Sequence, residues 1–248
     1  MTIAGEFPRE VLEILKASNR VVVMTGAGIS AESGVPTFRQ AQTGLWAKYD
    51  PSQLATPEAF QRDPKLVWDW YTWRRDLISR SIPNRGHLAL VDLESYYPEF
   101  TLITQNVDGL HRQAGSTRLI ELHGNIFRTK CSRDGRLIAD TNESPDSPPL
   151  CPDCGSFLRP DVVWFGESLA SGTLKKALEG VESCQVFISI GTSTLIEPAA
   201  SVPFLALQKG ATVIEINPQA TPLTPMSHHL FRANAGDVLP DLTAEILS

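Results

Sequence analysis

Short apolar runs recur along the chain, and each of them stops abruptly at small or polar residues. The runs cover residues 21–25, 100–104, 186–190 and 212–216. Because each run is too short for a buried helix and contains β-branched residues, each predicts a buried strand. Stretches with helical spacing separate the runs, and this alternation predicts a parallel sheet with helices on both faces. The predicted fold class is therefore α/β.

Apolar residues at helical spacing predict the helices that connect these strands. One helix is expected over residues 8–16. Another is expected to begin at Pro57 with Thr56 as its cap, because proline suits the first helical position. A longer helix is expected from about residue 64 to residue 80. The three-and-four spacing places on one face of it Val67, Tyr71, Arg74 and Ile78.

Polar residues follow each predicted strand, in the segments 105–109, 191–193 and 217–218. In parallel sheets, ligands bind beyond the carboxyl ends of the strands. Some polar residues are expected wherever a strand ends, but the repetition at four strand ends favours a ligand site at this edge.

The first strand ends in a glycine turn, Gly26-Ala27-Gly28. Glycine allows a tight turn and brings backbone N–H groups close to a ligand. Ser30 and Glu32 then favour the start of a helix. A strand, a turn and a helix in this order form a pyrophosphate cradle in dinucleotide-binding folds, and a tight structural turn is the alternative.

Charge and composition narrow the class of protein. The formal net charge of −6 argues against a general nucleic-acid binder. No apolar run approaches the length of a membrane span. Residues 1–19 lack the basic and apolar regions of a signal peptide. With four cysteines and no secretion signal, the chain is expected to act in the reducing cytoplasm without disulfides.

Three of the cysteines suggest a metal site. Cys151 and Cys154 form a Cys-x-x-Cys pair followed by glycine, which is typical of a zinc knuckle. The matching segment offers Cys131 and, where a second cysteine is expected, Asp134. Zinc accepts carboxylate oxygen, so a site of three cysteines and one aspartate is a hypothesis. The alternative is a degenerate site that packing holds together. Cys184 precedes a strand and is expected to be a small buried side chain.

Histidine is the side chain whose unperturbed pKa suits a general base near neutral pH. Among five histidines, His87 begins a helix and is expected to make a structural hydrogen bond. His111 follows a polar strand end, and His228 and His229 are expected in a late loop. His123 follows a short predicted strand. Sequence pattern alone leaves the choice among them open.

Motifs spread over nearly the whole chain resemble, in order, those of the sirtuins, the NAD-dependent protein-lysine deacylases. They occupy residues 26–39, 104–111, 121–124, 159–167, 191–193 and 216–218. The resemblance implies a Rossmann-like NAD-binding domain formed by residues of about 1–38, 82–126 and 161–248. It also implies a smaller domain made of two inserts, a helical one of about 39–81 and a zinc-ribbon-like one of about 127–160.

The resemblance implies a reaction in which NAD is consumed and the acyl group of a lysine passes to ADP-ribose. The implied products are nicotinamide, 2'-O-acyl-ADP-ribose and free lysine. His123 is the implied general base, and Asn106 and Asp108 act at the nicotinamide and its ribose. The other implied NAD contacts are Gly26, Ala27, Gly28, Ser30, Glu32, Pro36, Thr37, Phe38, Arg39, Trp46, Gln105, Val107, Gly191, Thr192, Ser193, Asn217, Pro218, Gln219 and Ala235.

The implied partners are proteins that carry acyl-lysine. Their peptides are expected to add as a strand beside an edge strand at residues 162–165. The implied contacts are Ala55, Tyr71, Arg74, Val162, Val163, Trp164, Phe165, Gly166 and Glu167. We expect no nucleic-acid or membrane partner, and we expect a monomer.

Tyr71 and Arg74 are similar to the Tyr-x-x-Arg pair of class III sirtuins, which remove succinyl, malonyl or glutaryl groups. Ala55 is similar to the small residue that widens the acyl pocket of that class. A guanidinium can hold a carboxylate through two N–H bonds, and a phenol can add a third. The alternative is that Tyr71 packs in the core and Arg74 pairs with Asp69 or Asp76.

This sequence departs from the family pattern at three positions. Asp134 leaves the second cysteine pair incomplete. Glu197 stands where class III relatives often carry an aromatic residue, and Gln40 replaces a common glycine of the cofactor loop. These departures concern the metal, the peptide preference and the closure of the loop.

Other function classes remain open at this stage. An NAD-dependent oxidoreductase usually has an acid at the end of the second strand, and no convincing candidate follows the first helix. A protein ADP-ribosyltransferase would also cleave NAD, but Tyr71 and Arg74 favour deacylation. A non-enzymatic zinc or NAD-binding module is a further alternative, against which His123, Asn106 and Asp108 argue.

Overall fold

The computed structural model describes residues 7–36, 49–139 and 148–248. Four predicted cofactor contacts, Thr37, Phe38, Arg39 and Trp46, lie outside the described residues, as does Gln40. In chain order the elements are α1 (Arg9–Ala17), β1 (Arg20–Thr25), α2 (Ala27–Ala31), α3 (Pro51–Leu54), α4 (Pro57–Arg62), α5 (Pro64–Ser79), α6 (Arg85–Tyr96), β2 (Glu99–Thr104), α7 (Leu110–Ala114), β3 (Leu119–Glu121), β4 (Gly124–Cys131), β5 (Leu137–Ile138), β6 (Leu158–Val162), α8 (Ser171–Glu182), β7 (Val186–Ile190), a 3-10 turn (Ala199–Ser201), α9 (Val202–Gln208), β8 (Thr212–Ile216), β9 (His229–Phe231) and α10 (Ala235–Leu247).

The larger sheet is parallel throughout and has the strand order β3-β2-β1-β7-β8-β9. Its four central strands are the four that the apolar runs predict, and their carboxyl ends lie in register. Thr25 at the end of β1 stands opposite Thr104 on one side and Ile190 on the other. The segment expected as a late loop instead contributes the edge strand β9, which His229 opens, so that expectation is wrong.

Helices cover both faces of this sheet, which confirms the predicted α/β class. On one face the core includes Leu15 of α1, Leu90 of α6 and Leu239 of α10. On the other face it includes Val181 of α8 and Val202 of α9. Residues in the strands are almost completely buried because both faces are covered.

A second, antiparallel sheet has the order β5-β4-β6 and stands beside the larger one. The helices α3, α4 and α5 contribute to a third core, which also includes Ile126 of β4 and Val162 of β6. The predicted start of α4 is confirmed, because Thr56 accepts a hydrogen bond from the N–H of Ala59 and Pro57 follows it. Asp63 caps α5 in the same way through the N–H of Leu66.

Two local expectations are wrong. The first helix after the glycine turn begins at Ala27, not near Ser30, and it is only five residues long. The regular strand β6 ends at Val162, so Trp164 and Phe165 do not lie in it as expected. Within the described part of the chain, none of the helices has both the length and the apolar character that a membrane span requires.

Candidate active site at the carboxyl edge of the sheet

The glycine turn lies against the loop that follows β7. The N–H of Gly26 donates to the carbonyl of Ile190 at 3.0 Å, and the N–H of Gly28 donates to that of Gly191 at 2.8 Å. A Cβ atom added to Gly28 would lie 2.6 Å from the Cα atom of Gly191. Glycine is required here because two backbones touch where a side chain would stand.

Side chains from two further loops join this edge. The Gln105 amide donates to the hydroxyl of Thr192 at 2.7 Å, and the Asn217 amide donates to the Thr192 carbonyl at 2.9 Å. Ser193 follows directly. Asn217 also accepts from the N–H of Gln219 at 3.1 Å, which turns the chain past Pro218. The predicted residues of four strand ends therefore lie together.

Asn106 and Asp108 lie on the loop after β2, and both face Ser30. The Asn106 amide donates to the carbonyl of Gly26 at 3.0 Å and to the Ser30 hydroxyl at 3.1 Å. The Asp108 carboxylate accepts from the N–H of Leu110 at 2.9 Å. Burial raises the pKa of Asp108, while its bonds to Leu110 and Ser30 act in the opposite direction.

Two buried histidines, His87 and His111, pack beneath this loop and contact Ser30 and Thr25. His111 lies 2.9 Å from the Thr25 hydroxyl, which donates to Thr104, and His87 lies 3.5 Å from the Ser30 hydroxyl. The two rings are 4.8 Å apart. Burial lowers the pKa of His87 to about 4 and, with the neighbouring His87, that of His111 to about 3. Both rings are therefore neutral at physiological pH and suit a structural role.

His123 stands between the two sheets, on the short link from β3 to β4. Its Nδ1 lies 2.9 Å from the carbonyl oxygen of Gln105. A carbonyl only accepts, so Nδ1 carries the proton and Nε2 is left with a lone pair. Burial lowers the pKa of His123, although the bond to Gln105 opposes that shift. The imidazole is therefore a neutral base at physiological pH.

The remaining histidines lie elsewhere. His228 accepts from the N–H of Val213 at 3.0 Å, and His229 stands opposite Ile214. Both positions are at the amino-terminal half of β8, away from the edge where the polar loops gather. Among the five histidines, the geometry therefore favours His123 as the candidate base.

Tyr71 projects from α5 into the third core, and Arg74, three residues later on the same helix, is half-buried. The Tyr71 hydroxyl accepts a hydrogen bond from the indole N–H of Trp164 at 2.9 Å. Burial raises the pKa of Tyr71 to about 12, although the charge of Arg74 opposes that shift. Burial also lowers the pKa of Arg74, whose guanidinium lies 5.2 Å from the Trp70 ring. Asp69, one suggested partner of Arg74, instead pairs with Lys65 at 2.8 Å.

Ala55, at the end of α3, belongs to the same core as Tyr71 and Trp164. It is buried, and its carbonyl accepts from the N–H of Phe165 at 2.9 Å. Val163 donates its N–H to the carbonyl of His123 at 2.9 Å. The segment after β6 therefore contacts both Ala55 and the candidate base, His123.

The other predicted contacts hold backbone positions. Gly166 has a φ angle of +84°, and the following Glu167 accepts from the N–H of Trp164 at 2.8 Å. The Glu32 carboxylate accepts from the N–H of Gly236 at 2.8 Å, next to Ala235 at the start of α10. Glu32 therefore joins the glycine turn to the last helix. Ala27 lies in the glycine turn, Pro36 follows α2, and Val107 lies in the loop after β2.

The Sγ atoms of Cys131, Cys151 and Cys154 all lie within 4.8 Å of one another, and two of them are 3.5 Å apart. Tetrahedral zinc with bonds of about 2.3 Å would place its sulfur ligands about 3.8 Å apart. The cluster therefore fits a zinc ion. Asp134 is not part of this group of mutually close atoms, although its carboxylate contacts the Cys131 thiol.

The two halves of the cluster have the same turn. In each, a left-handed glycine donates its N–H to the carbonyl of the first cysteine, at 3.0 Å in the first turn and 2.9 Å in the second. The N–H two residues after Asp134 bonds its carboxylate, and the N–H two residues after Cys154 bonds its thiol. Asp134 therefore holds, in the first turn, the position that Cys154 holds in the second.

Residues 26–198 match the model of the Sir2 family. The chain belongs to the Sir2 family. It is 54% identical over 224 residues to NAD-dependent protein deacylase 1 of Caldanaerobacter subterraneus subsp. tengcongensis, with 90% of this chain and 92% of that protein covered. It is 47% identical over 245 residues to an NAD-dependent protein deacylase of Pyrococcus abyssi, with 96% and 97% covered.

Solved structures lead to the same family. A Sir2 homologue in complex with NAD has a TM-score of 0.92 and 42% identity, with 100% of this chain and 96% of that chain covered. A mutant Sir2 homologue in complex with 2'-O-acetyl ADP ribose has a TM-score of 0.88 and 44% identity, with 97% of each chain covered. A Sir2 complex with a p53 peptide and NAD has a TM-score of 0.85 and 30% identity, with 97% of this chain and 98% of that chain covered.

The Sir2-family fold also contains supporting residues that sequence reasoning did not identify. Buried Glu215 accepts from the hydroxyls of Thr221 and Thr224 at 2.5 and 2.6 Å, and so shapes the loop that begins at Asn217. An acid inside an otherwise apolar strand was the available signal.

Cys184 is buried as expected, and burial raises its pKa to about 11.

Proposed function

We propose that this Sir2-family chain is an NAD-dependent protein-lysine deacylase that prefers acidic acyl groups, namely succinyl, malonyl and glutaryl, over acetyl. Its relatives that are named deacylases cover nearly the whole chain, and solved Sir2 homologues hold NAD, an acetylated ADP-ribose or a peptide. These relationships support the general reaction. The acyl preference rests on this chain's own residues.

NAD would supply the ribose carbon that accepts the acyl group once nicotinamide has left. The turn of Gly26, Ala27 and Gly28 suits its pyrophosphate, because residues with small or absent side chains allow a close approach to the backbone at the start of a helix. The N–H groups of Gly26 and Gly28 themselves donate to Ile190 and Gly191. Thr192 and Asn217 would hold the adenosine half. Asn106 and Asp108 would offer acceptor oxygens, which match the N–H groups of a carboxamide and the hydroxyls of a ribose, while the Asn106 amide N–H groups donate to Gly26 and Ser30.

His123 would act as the general base through Nε2. Its Nδ1 proton is directed to the carbonyl of Gln105 at 2.9 Å, so the ring has one free lone pair and a fixed orientation. A neutral imidazole in this position can take a proton from a ribose hydroxyl. The lowered pKa of His123 keeps it in the basic form at neutral pH.

The observation that carries the acyl preference is the placement of buried Tyr71 and half-buried Arg74 three residues apart on α5. A guanidinium forms charge-assisted hydrogen bonds with a carboxylate that a neutral acetyl group cannot form. A terminal carboxylate could accept from Arg74 and from the Tyr71 hydroxyl together. Ala55 is buried in the same core as Tyr71, and its small side chain would suit a larger acyl group than acetyl.

The substrate peptide would pair with the chain beside β6, which is an edge strand of the smaller sheet. Val163, Phe165 and Gly166 follow that strand. The acyl-lysine would then enter between Trp164 and His123. Glu197, which stands where class III relatives often carry an aromatic residue, would favour peptides with basic flanking residues.

Zinc would be structural, held by Cys131, Cys151 and Cys154 with Asp134 as the fourth ligand. Asp134 is well placed for this role because it is the counterpart of Cys154 in the first turn. The cysteines are free thiols, which favours a reducing compartment such as the cytoplasm.

The test compares one peptide that carries either succinyl-lysine or acetyl-lysine, incubated with NAD and analysed by mass spectrometry. We expect faster loss of the succinyl group and formation of succinyl-ADP-ribose. Arg74→Met should lower kcat/KM for the succinyl peptide roughly tenfold to hundredfold, as expected for loss of a hydrogen bond to a charged group. The acetyl peptide should be affected far less.

Lys65→Gln is the matched control, because it removes one positive charge from the exposed face of the same helix. Equal losses on both peptides in Arg74→Met would contradict the acyl preference. Faster removal of acetyl by the unmodified enzyme would indicate a deacetylase without acidic preference. NAD consumption without deacylation would indicate ADP-ribosyl transfer.

A further inference from the structure

The hydroxyl of Tyr71 has a defined partner within the protein. The indole Nε1–H of Trp164 donates to it at 2.9 Å, and the two rings are stacked with centroids 6.3 Å apart. Both side chains are buried, with 2% and 3% of their surface exposed. Water therefore does not compete for this hydrogen bond.

This contact fixes the direction of hydrogen bonding at Tyr71. An indole N–H can only donate, whereas a phenol hydroxyl can donate one hydrogen bond and accept others. With Trp164 donating to its oxygen, Tyr71 has its own proton left to donate. The pKa of Tyr71 near 12 means that this proton stays in place at physiological pH.

The Trp164 ring packs against two further side chains, those of Arg159 and Phe60. The guanidinium of Arg159 lies 3.2 Å from the ring centroid, and the ring of Phe60 lies 5.3 Å away. Arg159 forms a two-pronged ion pair with Glu167, at 2.5 and 2.9 Å. The same Glu167 accepts from the backbone N–H of Trp164 at 2.8 Å.

Arg159 has a second anchor near the same place. Its Nη2 donates to the carbonyl of Val162 at 2.8 Å, and only 6% of the residue is exposed. Arg159, Glu167 and Trp164 therefore contact one another at the end of β6. A donor supported in this way is pre-organised, so little rotational freedom is lost when substrate binds.

We propose that Trp164 is a specificity-determining positioning residue, whose indole N–H fixes the Tyr71 hydroxyl as a donor toward the terminal carboxylate of the acyl group. The inference rests on the proposed function, because it concerns how the acyl pocket recognises an acid. A carboxylate accepts only, so a hydroxyl committed to donating favours it over a neutral methyl terminus.

The experiment is a double-mutant cycle with Trp164→Phe and Tyr71→Phe. The quantity measured is the ratio of kcat/KM for the succinyl peptide to that for the acetyl peptide, so that losses common to both peptides cancel. In the Tyr71 background we expect Trp164→Phe to lower this ratio about tenfold, mainly through KM, the size expected for a charge-assisted hydrogen bond. In the Tyr71→Phe background we expect Trp164→Phe to leave the ratio unchanged.

Phe60→Leu is the matched control, because it loosens packing against the Trp164 ring without removing the indole N–H. It should change both peptides alike. Thermal melting shows whether Trp164→Phe is folded. If it is not, Glu167→Gln weakens the anchor of Trp164 and should lower the same ratio.

An equal fall of the ratio in both backgrounds, or no fall in either, would overturn the role of Trp164 while leaving the proposed function intact. An unmodified enzyme that removes acetyl as fast as succinyl would overturn the acidic preference and this inference together. An unmodified enzyme without NAD-dependent deacylation would overturn the proposed function itself.

Discussion

Gly124 and Asp161 meet so closely that a Cβ atom on Gly124 would lie 2.0 Å from the carbonyl oxygen of Asp161. Gly124 also has a φ angle of +83°, which L-residues with side chains rarely adopt. The candidate base, His123, is the preceding residue. The geometry of the base therefore depends on a position that tolerates only glycine.

We expect Gly124→Ala to lower deacylase activity by more than tenfold and to lower the melting temperature. The added methyl group would push β4 away from β6 and tilt the imidazole at His123. Steady-state kinetics and thermal melting measure the two effects. Gly172→Ala is the control, since nothing lies within 4 Å of its Cβ position and alanine favours the helix α8. Normal activity in Gly124→Ala would contradict the proposed geometry.

His123→Gln should abolish turnover while NAD still binds. Glutamine can still donate to the carbonyl of Gln105 but cannot take up a proton near neutral pH. Calorimetric titration with NAD and mass spectrometry of the products separate binding from turnover. His229→Gln, on the edge strand β9, should behave like the unmodified enzyme. Turnover in His123→Gln would end the assignment of the base.

The same imidazole should determine the acid side of the pH profile. A general base must be deprotonated, and burial lowers the pKa of His123 below its usual value near 6.5. The fall of kcat/KM on the acid side should therefore be centred below pH 6.5. An inflection above pH 7 would contradict the environment described for His123.

His87 and His111 should make stability depend on pH. Their pKa values in the folded protein are about 4 and about 3, whereas an unfolded histidine titrates near 6.5. The unfolded state therefore binds more protons, and stability should fall as pH drops from about 6.5 toward 4, by up to about 1.4 kcal/mol per pH unit for each ring. Urea unfolding at several pH values measures this slope.

The contribution of the histidines is isolated by His87→Asn, which cannot be protonated in that range. We expect a shallower fall of stability between pH 6.5 and 5 in that variant. Both proteins contain the same carboxylates, so their titration does not obscure the comparison. Identical slopes in the two proteins would contradict a neutral, buried His87.

Removal of zinc should lower stability, and Asp134 should set the affinity for the metal. We expect the purified protein to contain about one zinc ion and to lose thermal stability with a chelator. Asp134→Cys should bind zinc more tightly, because it completes a four-thiolate site, and Asp134→Ala should bind it more weakly. Metal analysis and competition with a chromogenic chelator measure both.

A protein that purifies without zinc and does not respond to added zinc would show that packing alone holds the cysteine cluster. Asp153→Ala is the control for charge. It removes an exposed acid from the second turn, beside the ligands but outside their ligand positions. We expect it to leave the zinc content unchanged.

The sequence was most informative where periodicity and burial coincide. The apolar runs marked the four central strands because both faces of each are buried. The edge strand β9 has only three residues, His229–Phe231, which is too short to show a pattern. The helix α2 begins earlier than expected, because the contact of Gly28 with Gly191, and not a capping side chain, fixes the turn before it.

The candidate site likewise has parts that the sequence predicts and parts that it does not. The loops at the strand ends were predictable because a parallel sheet brings its carboxyl ends together. The bond between Trp164 and Tyr71 joins residues 93 apart in the chain, and no local pattern specifies such a contact. The equivalence of Asp134 and Cys154 likewise appears only when the two turns are compared in space.

The strand β4 contains a bulge, where its pairing with β6 shifts between Asn125 and Thr129. Within it, the N–H of Ile126 donates to the carbonyl of Val107 at 2.9 Å, and the carbonyl of Ile126 accepts from Arg75 at 2.7 Å. One residue thus joins the helix of the acyl pocket to the loop proposed for nicotinamide. We therefore expect occupancy of the two proposed pockets to be thermodynamically linked: an acyl-lysine that shifts this helix would change the affinity for nicotinamide, and nicotinamide would change the affinity for the acyl-lysine by the same factor.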